Sequence, residues 1–367
     1  MYPLYCMKNN SSVNLSLAST KVRGLTKRFD LNDPSSRQKY FAAKAGKDVQ
    51  KLQRYLKSGK TFVAFLVGKK NSGKGTYSKL FMEAVGRDHV GHLAVGDIVR
   101  DVHTSLKSPA GRKKLIGFLK KNYRGYHSPE ETIDVILGRS QSTLITSELV
   151  LALIKFELSK RPRQALFIDG FPRAFDQISY SLFLKEIIGY REDPDFFVFL
   201  DVPTNIIDER IKTRVVCPIC KTPRNLRLLA TKEVGYDEKG KKFYLKCDNA
   251  ACKGARMVAK EGDEFGIEPI RERLETDNKI SKQLRTIHGI PKIFLRNAIP
   301  AARAKRVVDN YEITPGYHYE LDPKTKKVKT IETPWIVKDD SGVPSYSLLP
   351  AAVVVSLLKQ MSKILTG

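Results

Sequence analysis

Residues 62–76 read FVAFLVGKKNSGKGT, and the residue types there suit one task, the holding of a phosphate chain. Gly68, Gly73 and Lys74 stand at the G-x4-G-K spacing of a P-loop, with Asn71 and Ser72 inside the loop and Gly75 and Thr76 directly after the lysine. Backbone N–H groups of such a loop point inward, the helix N-terminus adds partial positive charge, and Lys74 adds a full one. The apolar run Phe62–Val67 predicts a strand before the loop, and Tyr77–Val85 predicts an amphipathic helix after it. The competing reading is an ordinary strand–turn–helix with an exposed lysine, and the flanking elements weigh against it.

A second chemical set is made of thiols. Cys217-Pro-Ile-Cys220 is followed, 26 residues on, by Cys247-x4-Cys252. Each short knuckle brings two sulfurs round one point, so four thiolates suit a tetrahedral Zn²⁺ with no coordination position left open for chemistry. A structural metal in a reducing compartment is the expectation; Cys6 lies apart. The lysine-rich stretch around the knuckles also raises nucleic-acid binding, though no motif supports it.

The elements that must position these groups follow an α/β pattern. Ala165–Ile168, Phe196–Leu200 and, less clearly marked, Trp335–Val337 read as further buried strands. Thr146–Leu158 and Ile206–Thr213 read as the helices between them. Nearly all-apolar strands alternating with helices predict a doubly wound parallel sheet. Residues 1–60 precede the first strand with 13 Lys/Arg against 3 Asp/Glu. That composition suits a basic arm or an organellar leader. From Pro34 to about Lys57 the pattern turns helical, with Tyr40, Phe41, Val49, Leu52 and Leu56 on one face. The run Leu348–Leu358 is too short for a membrane span and reads as a buried final helix. Residues 290–334 are basic and Pro-containing, and the pattern assigns them no place.

The net charge of +26 exceeds what a nucleotide pocket alone requires. A solvated basic surface, nucleic acid and an acidic partner all remain open on that number. At 367 residues the chain has room for one large core with appended modules.

Further segments extend the P-loop reading. These are HLAVGDIVR at 92–100, FIDGFPR at 167–173 with Gln177 four residues on, RIKTR at 210–214, and RERL at 271–274. Together with GKGT at 73–76 they resemble the adenylate kinase family of nucleoside monophosphate kinases, over roughly residues 61–285 plus the final helix. The resemblance implies a P-loop core (61–94, 145–214 and 265–367), a monophosphate-binding flap (95–144) and a zinc-bearing lid (215–264). In the lid, Arg224–Leu229 and Phe243–Leu245 would form a small sheet.

The resemblance also implies the chemistry. ATP with Mg²⁺ would bind Gly68, Asn71, Ser72, Gly73, Lys74, Gly75 and Thr76, with Arg210 along the donor. AMP would bind Val95, Gly96, Arg100, Ile145, Gly170, Arg173 and Gln177, the last reading adenine. Thr76 and Asp169 would hold Mg²⁺, and Lys74, Arg210, Arg214 and Arg273 would act on the transferring group. The products would be two ADP, from a monomer in the cytoplasm with no membrane attachment. Three departures from the family pattern stand out. Val95 and Ser142 occupy acceptor-side positions. At the lid exit the usual arginine gives way to Glu261 or is approximated by Lys260. The third is a basic insertion, Ser105–Arg124, expected as a solvated helix. A kinase for CMP, UMP or GMP, and a weakened nucleotide- and RNA-binding homologue, are the alternative readings.

Overall fold

The computed structural model describes residues 19–138, 145–220, 222–260 and 262–367. Ser142 and Glu261 therefore lie outside the described residues, as do Cys6 and the start of the basic arm. Five strands form one parallel sheet: β1 (Val63–Gly68), β2 (Val90–Ala94), β3 (Ala165–Asp169), β4 (Asp195–Asp201) and β5 (Lys292–Arg296), in the order β5-β4-β1-β3-β2. β1 pairs with both β3 and β4, Leu66 standing opposite Asp169 and Gly68 opposite Leu200. The carboxyl ends of the two central strands thus lie side by side, where ligands bind in open α/β sheets.

Strand alternation divides the interior into two layers. Phe62, Ala64 and Leu66 pack on one side with the helix α1 (Pro34–Lys57), the helix α2 (Lys74–Val85) and the final helix Pro350–Thr366. Val63, Phe65 and Val67 face the other side, against Ile98, Leu115, Leu149 and Ile280. α1 starts as its sequence requires: Asp33 caps it by accepting from the Ser36 N–H at 2.6 Å, and Pro34 sits in the first turn. The helix at the end of the basic arm is thus a wall of the core, with Tyr40, Phe41, Leu52 and Leu56 buried and Val49 partly so.

The structure fills one unplaced stretch and corrects two expectations. The last strand of the sheet is β5, which lies in the stretch the sequence pattern did not place. It is an edge strand whose Lys292, Phe294 and Arg296 alternate with buried Ile293 and Leu295, so it lacks a continuous apolar run. The segment near Trp335–Val337 is outside the parallel sheet. Ile336–Lys338 pairs antiparallel with Pro344–Tyr346, while Trp335 and Val337 cover Val202, Ile206 and Ile207 beside the sheet. The insertion is a helix, Pro109–Asn122, but not a fully solvated one: Leu115 and Leu119 are completely buried.

The lid holds two small sheets. Arg214–Val216 pairs with Pro223–Asn225 and Val258–Ala259, and Val234–Asp237 pairs with Lys242–Leu245. A hairpin after the core, Pro315–Leu321 with Val328–Pro334, reaches across to it. Tyr317 N–H donates to the Arg227 carbonyl at 2.7 Å, the Tyr319 hydroxyl to the Leu226 carbonyl at 2.5 Å, and the Tyr319 ring lies 5.6 Å from that of Phe243. Among the described residues no helix is long and apolar enough to cross a membrane.

Candidate functional site

The loop between β1 and α2 takes the backbone conformations its residues permit. Asn71 has φ 64° and Gly73 φ 95°, both in the left-handed region that asparagine tolerates and glycine enters freely. Gly68 is needed for a different reason: a Cβ there would meet the Leu200 carbonyl oxygen at 2.7 Å. The Lys74 ammonium folds back over the loop, donating to the carbonyls of Gly68 at 2.9 Å and Lys69 at 3.1 Å, and stands 3.8 Å from Asp169.

In front of this loop opens a cavity of about 700 Å³. Its wall is assembled from the loop, from the helix start after β2, from the turn after β3, from the lid exit and from the helix Arg271–Thr286. Seven lysines and arginines line it (Lys70, Lys74, Lys79, Arg100, Arg173, Lys260, Arg273) against three aspartates (Asp97, Asp169, Asp277), an excess of four positive charges. Three of the cations have carboxylate partners: Arg273 pairs with Asp277 at 2.8 Å, Lys74 with Asp169 at 3.8 Å, and Arg100 with Asp97. Burial, followed by the nearby Arg273, lowers the Arg173 guanidinium below its ordinary range. A concave site with such an uncompensated excess is built for a polyanion.

Most of the residues predicted from sequence converge here. Gly68, Asn71, Lys74 and Gly75 form the loop side; Val95, Gly96, Arg100, Ile145, Gly170, Arg173 and Gln177 form the opposite side; Asp169 and Arg273 lie on the wall as well. Gln177 is buried, and its amide oxygen accepts from the Arg173 N–H at 2.7 Å. This leaves its amide NH₂ and one lone pair to meet a base.

Five predicted residues are off the cavity wall. Ser72 is fully buried behind the loop, Gly73 shapes the turn, and Thr76 is exposed on the first turn of α2. Arg210 is drawn towards the core, donating to Asn297 Oδ1 at 3.1 Å and Ser347 Oγ at 3.2 Å. Arg214 makes a two-point pair with Asp263 at 2.6 and 2.7 Å. Both arginines are thus engaged by protein partners.

Sequence reasoning missed several lining groups. Lys70 and Asp277 carried no motif, although Lys70 stands inside the loop itself and was open to notice there. His92 also lines the cavity; its Nδ1 is 2.9 Å from Ser78 Oγ, and burial lowers its pKa, keeping the ring neutral near pH 7. Lys260, which the sequence offers as an approximation of the lid-exit arginine, is on the wall.

The donor sets fit the expected metals. The Asp169 carboxylate borders the cavity beside Lys74, a hard oxygen ligand where a hydrated Mg²⁺ would sit among phosphates. In the lid, the sulfurs of Cys217, Cys220, Cys247 and Cys252 lie within 4.8 Å of one another, with Cys220 and Cys247 at 3.6 Å. A tetrahedron with Zn–S of about 2.3 Å has edges near 3.8 Å, so the spacing fits a four-thiolate site. All four cysteines are free of disulfides. A hydrogen bond with Thr222 draws the Cys220 thiol down to about 6, whereas burial pushes Cys252 up to about 12. Four crowded thiols cannot all ionise without a cation among them.

No protein-family model matches the chain. Individual relatives do. The chain is 30% identical to "Adenylate kinase" of Thermotoga petrophila over 215 residues, 58% of this chain and 79% of the relative. It is 27% identical to "Adenylate kinase" of Mycoplasma mobile over 218 residues, 59% of this chain and 82% of that protein. For the protein of the same name from Thermosipho africanus the figures are 26% over 232 residues, 61% and 90%. The sheet order, the cationic cavity at the carboxyl end of β1 and β3, and relatives matched over most of their own length place this chain in the adenylate kinase family.

Proposed function

We propose that the chain transfers a phosphoryl group reversibly from ATP, with Mg²⁺, to AMP and so forms two ADP. The observation that carries this reading is the single cavity in which loop-side and flap-side cations face each other with an excess of four positive charges. Two nucleotides meeting head to head would bring their phosphates there and nowhere else on that wall. The loop N–H groups and Lys74 hold the donor's β and γ phosphates, while Arg100 and Arg173 hold the acceptor's phosphate. Arg273, and Arg210 and Arg214 once released from their present partners, neutralise the transferring group. Asp169 on the cavity wall, with Thr76 at the start of the following helix if the loop presents it, would hold Mg²⁺, and the ion would supply charge neutralisation. No general base is required, because the acceptor oxygen is already anionic; positioning and charge do the work. Gln177 suits an adenine edge. A structural Zn²⁺ on the four cysteines gives the lid a rigid centre.

A second reading, a kinase for another monophosphate, is favoured by Val95, which puts an apolar side chain on the acceptor wall. One coupled assay separates the two: purified chain with ATP, Mg²⁺ and AMP, CMP, UMP or GMP in turn, with zinc measured on the same sample. ADP formation fastest with AMP, and about one zinc per chain, is expected. Lys74→Ala and Arg173→Ala should each reduce turnover by roughly 10²-fold or more. Near-normal turnover in either variant would remove the assignment.

A further inference from the structure

Two adjacent lysines of the loop meet opposite fates. Lys69 turns into the protein: its ammonium donates to Asp340 at 2.7 Å, to the Thr204 hydroxyl at 2.8 Å and to the Val202 carbonyl at 3.1 Å. Lys70 turns into the cavity. Its backbone N–H is anchored on Asp277 at 2.9 Å. Its ammonium has no carboxylate within ion-pair distance among the described residues, and the same holds for Lys260 and Arg173 on the facing walls. Three unpaired cations from three separate elements therefore share one half-enclosed space. Burial lowers the Lys70 pKa most, followed by the like charges of Arg173, Arg273, Lys260 and Arg214.

Lys70 and Lys260 are exposed on the cavity wall and Arg173 is partly buried, so without a ligand only water offsets the repulsion among them. An anion bound among them converts each repulsion into an attraction. We propose that Lys70 is a further catalytic residue, whose ammonium, with Lys260 from the lid exit, contacts the phosphate chain and neutralises the group in transfer. This rests on the phosphoryl-transfer reading above. In that step an AMP phosphate oxygen forms a bond to the γ phosphorus of ATP as the bond to the β–γ bridging oxygen breaks. Neither lysine exchanges a proton; both remain ammonium throughout. The pairing with Lys260 gives the lid exit a part in catalysis without a guanidinium, at the loss of two-point geometry.

The test compares Lys70→Gln, Lys70→Arg and Lys260→Gln with wild type, and uses Lys114→Gln on the exposed insertion helix as a control. Three quantities are read: ADP formation, calorimetric affinity for inorganic tripolyphosphate, and melting temperature without ligand. Lys70→Gln should weaken tripolyphosphate about 10-fold and lower kcat roughly 10- to 100-fold. Its ligand-free melting temperature should rise, because a repelled charge has gone. Lys70→Arg should recover most of the affinity, Lys260→Gln should lose somewhat less than Lys70→Gln, and the control should match wild type. Unchanged tripolyphosphate affinity in Lys70→Gln overturns the proposal whatever happens to turnover. A wild-type chain that forms no ADP, yet binds tripolyphosphate through Lys70, would sink the kinase reading and leave this phosphate contact standing.

Discussion

The ammonium of Lys44 lies 2.6 Å from Asp309 and 3.4 Å from Glu312, and the side chains of Lys44 and Glu312 are entirely buried. Glu312 also accepts from the Tyr40 hydroxyl at 2.6 Å, the Thr20 hydroxyl at 2.5 Å and the Asp309 N–H at 2.7 Å. Every charge there has an opposite charge or a donor. On the cavity wall, by contrast, Lys70, Lys260 and Arg173 have no carboxylate at ion-pair distance among the described residues. In the first region buried charge is tolerated because folding itself completes it; in the second, Lys70 and Lys260 are exposed and keep their water. The first region ties Thr20, α1 and the 309–312 turn into one core. The second lines the cavity of the candidate site. Uncompensated cations in a cleft are thus a better pointer to function here than the total charge of +26.

The comparison breaks most visibly at Lys44. Lys44→Met should cost about 3–5 kcal/mol, since it strands Glu312 without its cation. Urea unfolding reads this directly, and adding Glu312→Gln should recover a good part of the loss. Turnover per folded molecule should not change, because none of these residues lines the cavity. A Lys44→Met chain of wild-type stability would show that the cluster is not the compensated unit described here.

A smaller effect is expected where the hairpin meets the lid. Tyr319→Ala removes a half-buried ring and its hydroxyl bond to Leu226, a loss of about 1–2 kcal/mol confined to that contact. Hydrogen exchange of amides at 226–229 and 243–245 should quicken while core strands stay protected. Equal protection in variant and wild type would mean the hairpin does not restrain the lid.

The smallest effect sharpens the contrast through pH. Burial and the surrounding arginines and Lys260 lower the Lys70 pKa in the folded chain below its unfolded value of about 10.4. Between the two values the unfolded chain binds the extra proton, so stability rises with pH in that window; below it the charged lysine is a constant cost. Lys70→Gln should therefore melt about 1–2 °C higher at pH 7, solvent screening keeping the gain small. The gap should close as pH climbs through the folded pKa towards 10.4. A gap of opposite sign, or one that widens, contradicts a repelled cation.

Local signals were enough for much of the site. The glycine spacing, the lysine at the helix start and FIDGFPR at 167–173 each rest on short-range needs of backbone and charge, and they meet on one wall. The paired cysteine knuckles likewise announced a cluster that the lid assembles. Lys70 and Lys69 were indistinguishable in the same terms: neighbouring residues of one type, one paired with Asp340 some 270 positions later and one lining the cavity. β5 was hidden because an edge strand needs only one apolar face, and Trp335–Val337 misled because it covers a small side cluster.

From its order of residues alone this chain determined the phosphate loop, the α/β alternation and the four-thiol lid, since each is written in contacts a few residues apart. Tertiary structure decided which cations are neutralised and which are left for a ligand, that α1 joins the core, and that a late hairpin reaches the lid. Those outcomes depend on partners hundreds of residues away, and charge compensation is a property of neighbours in space.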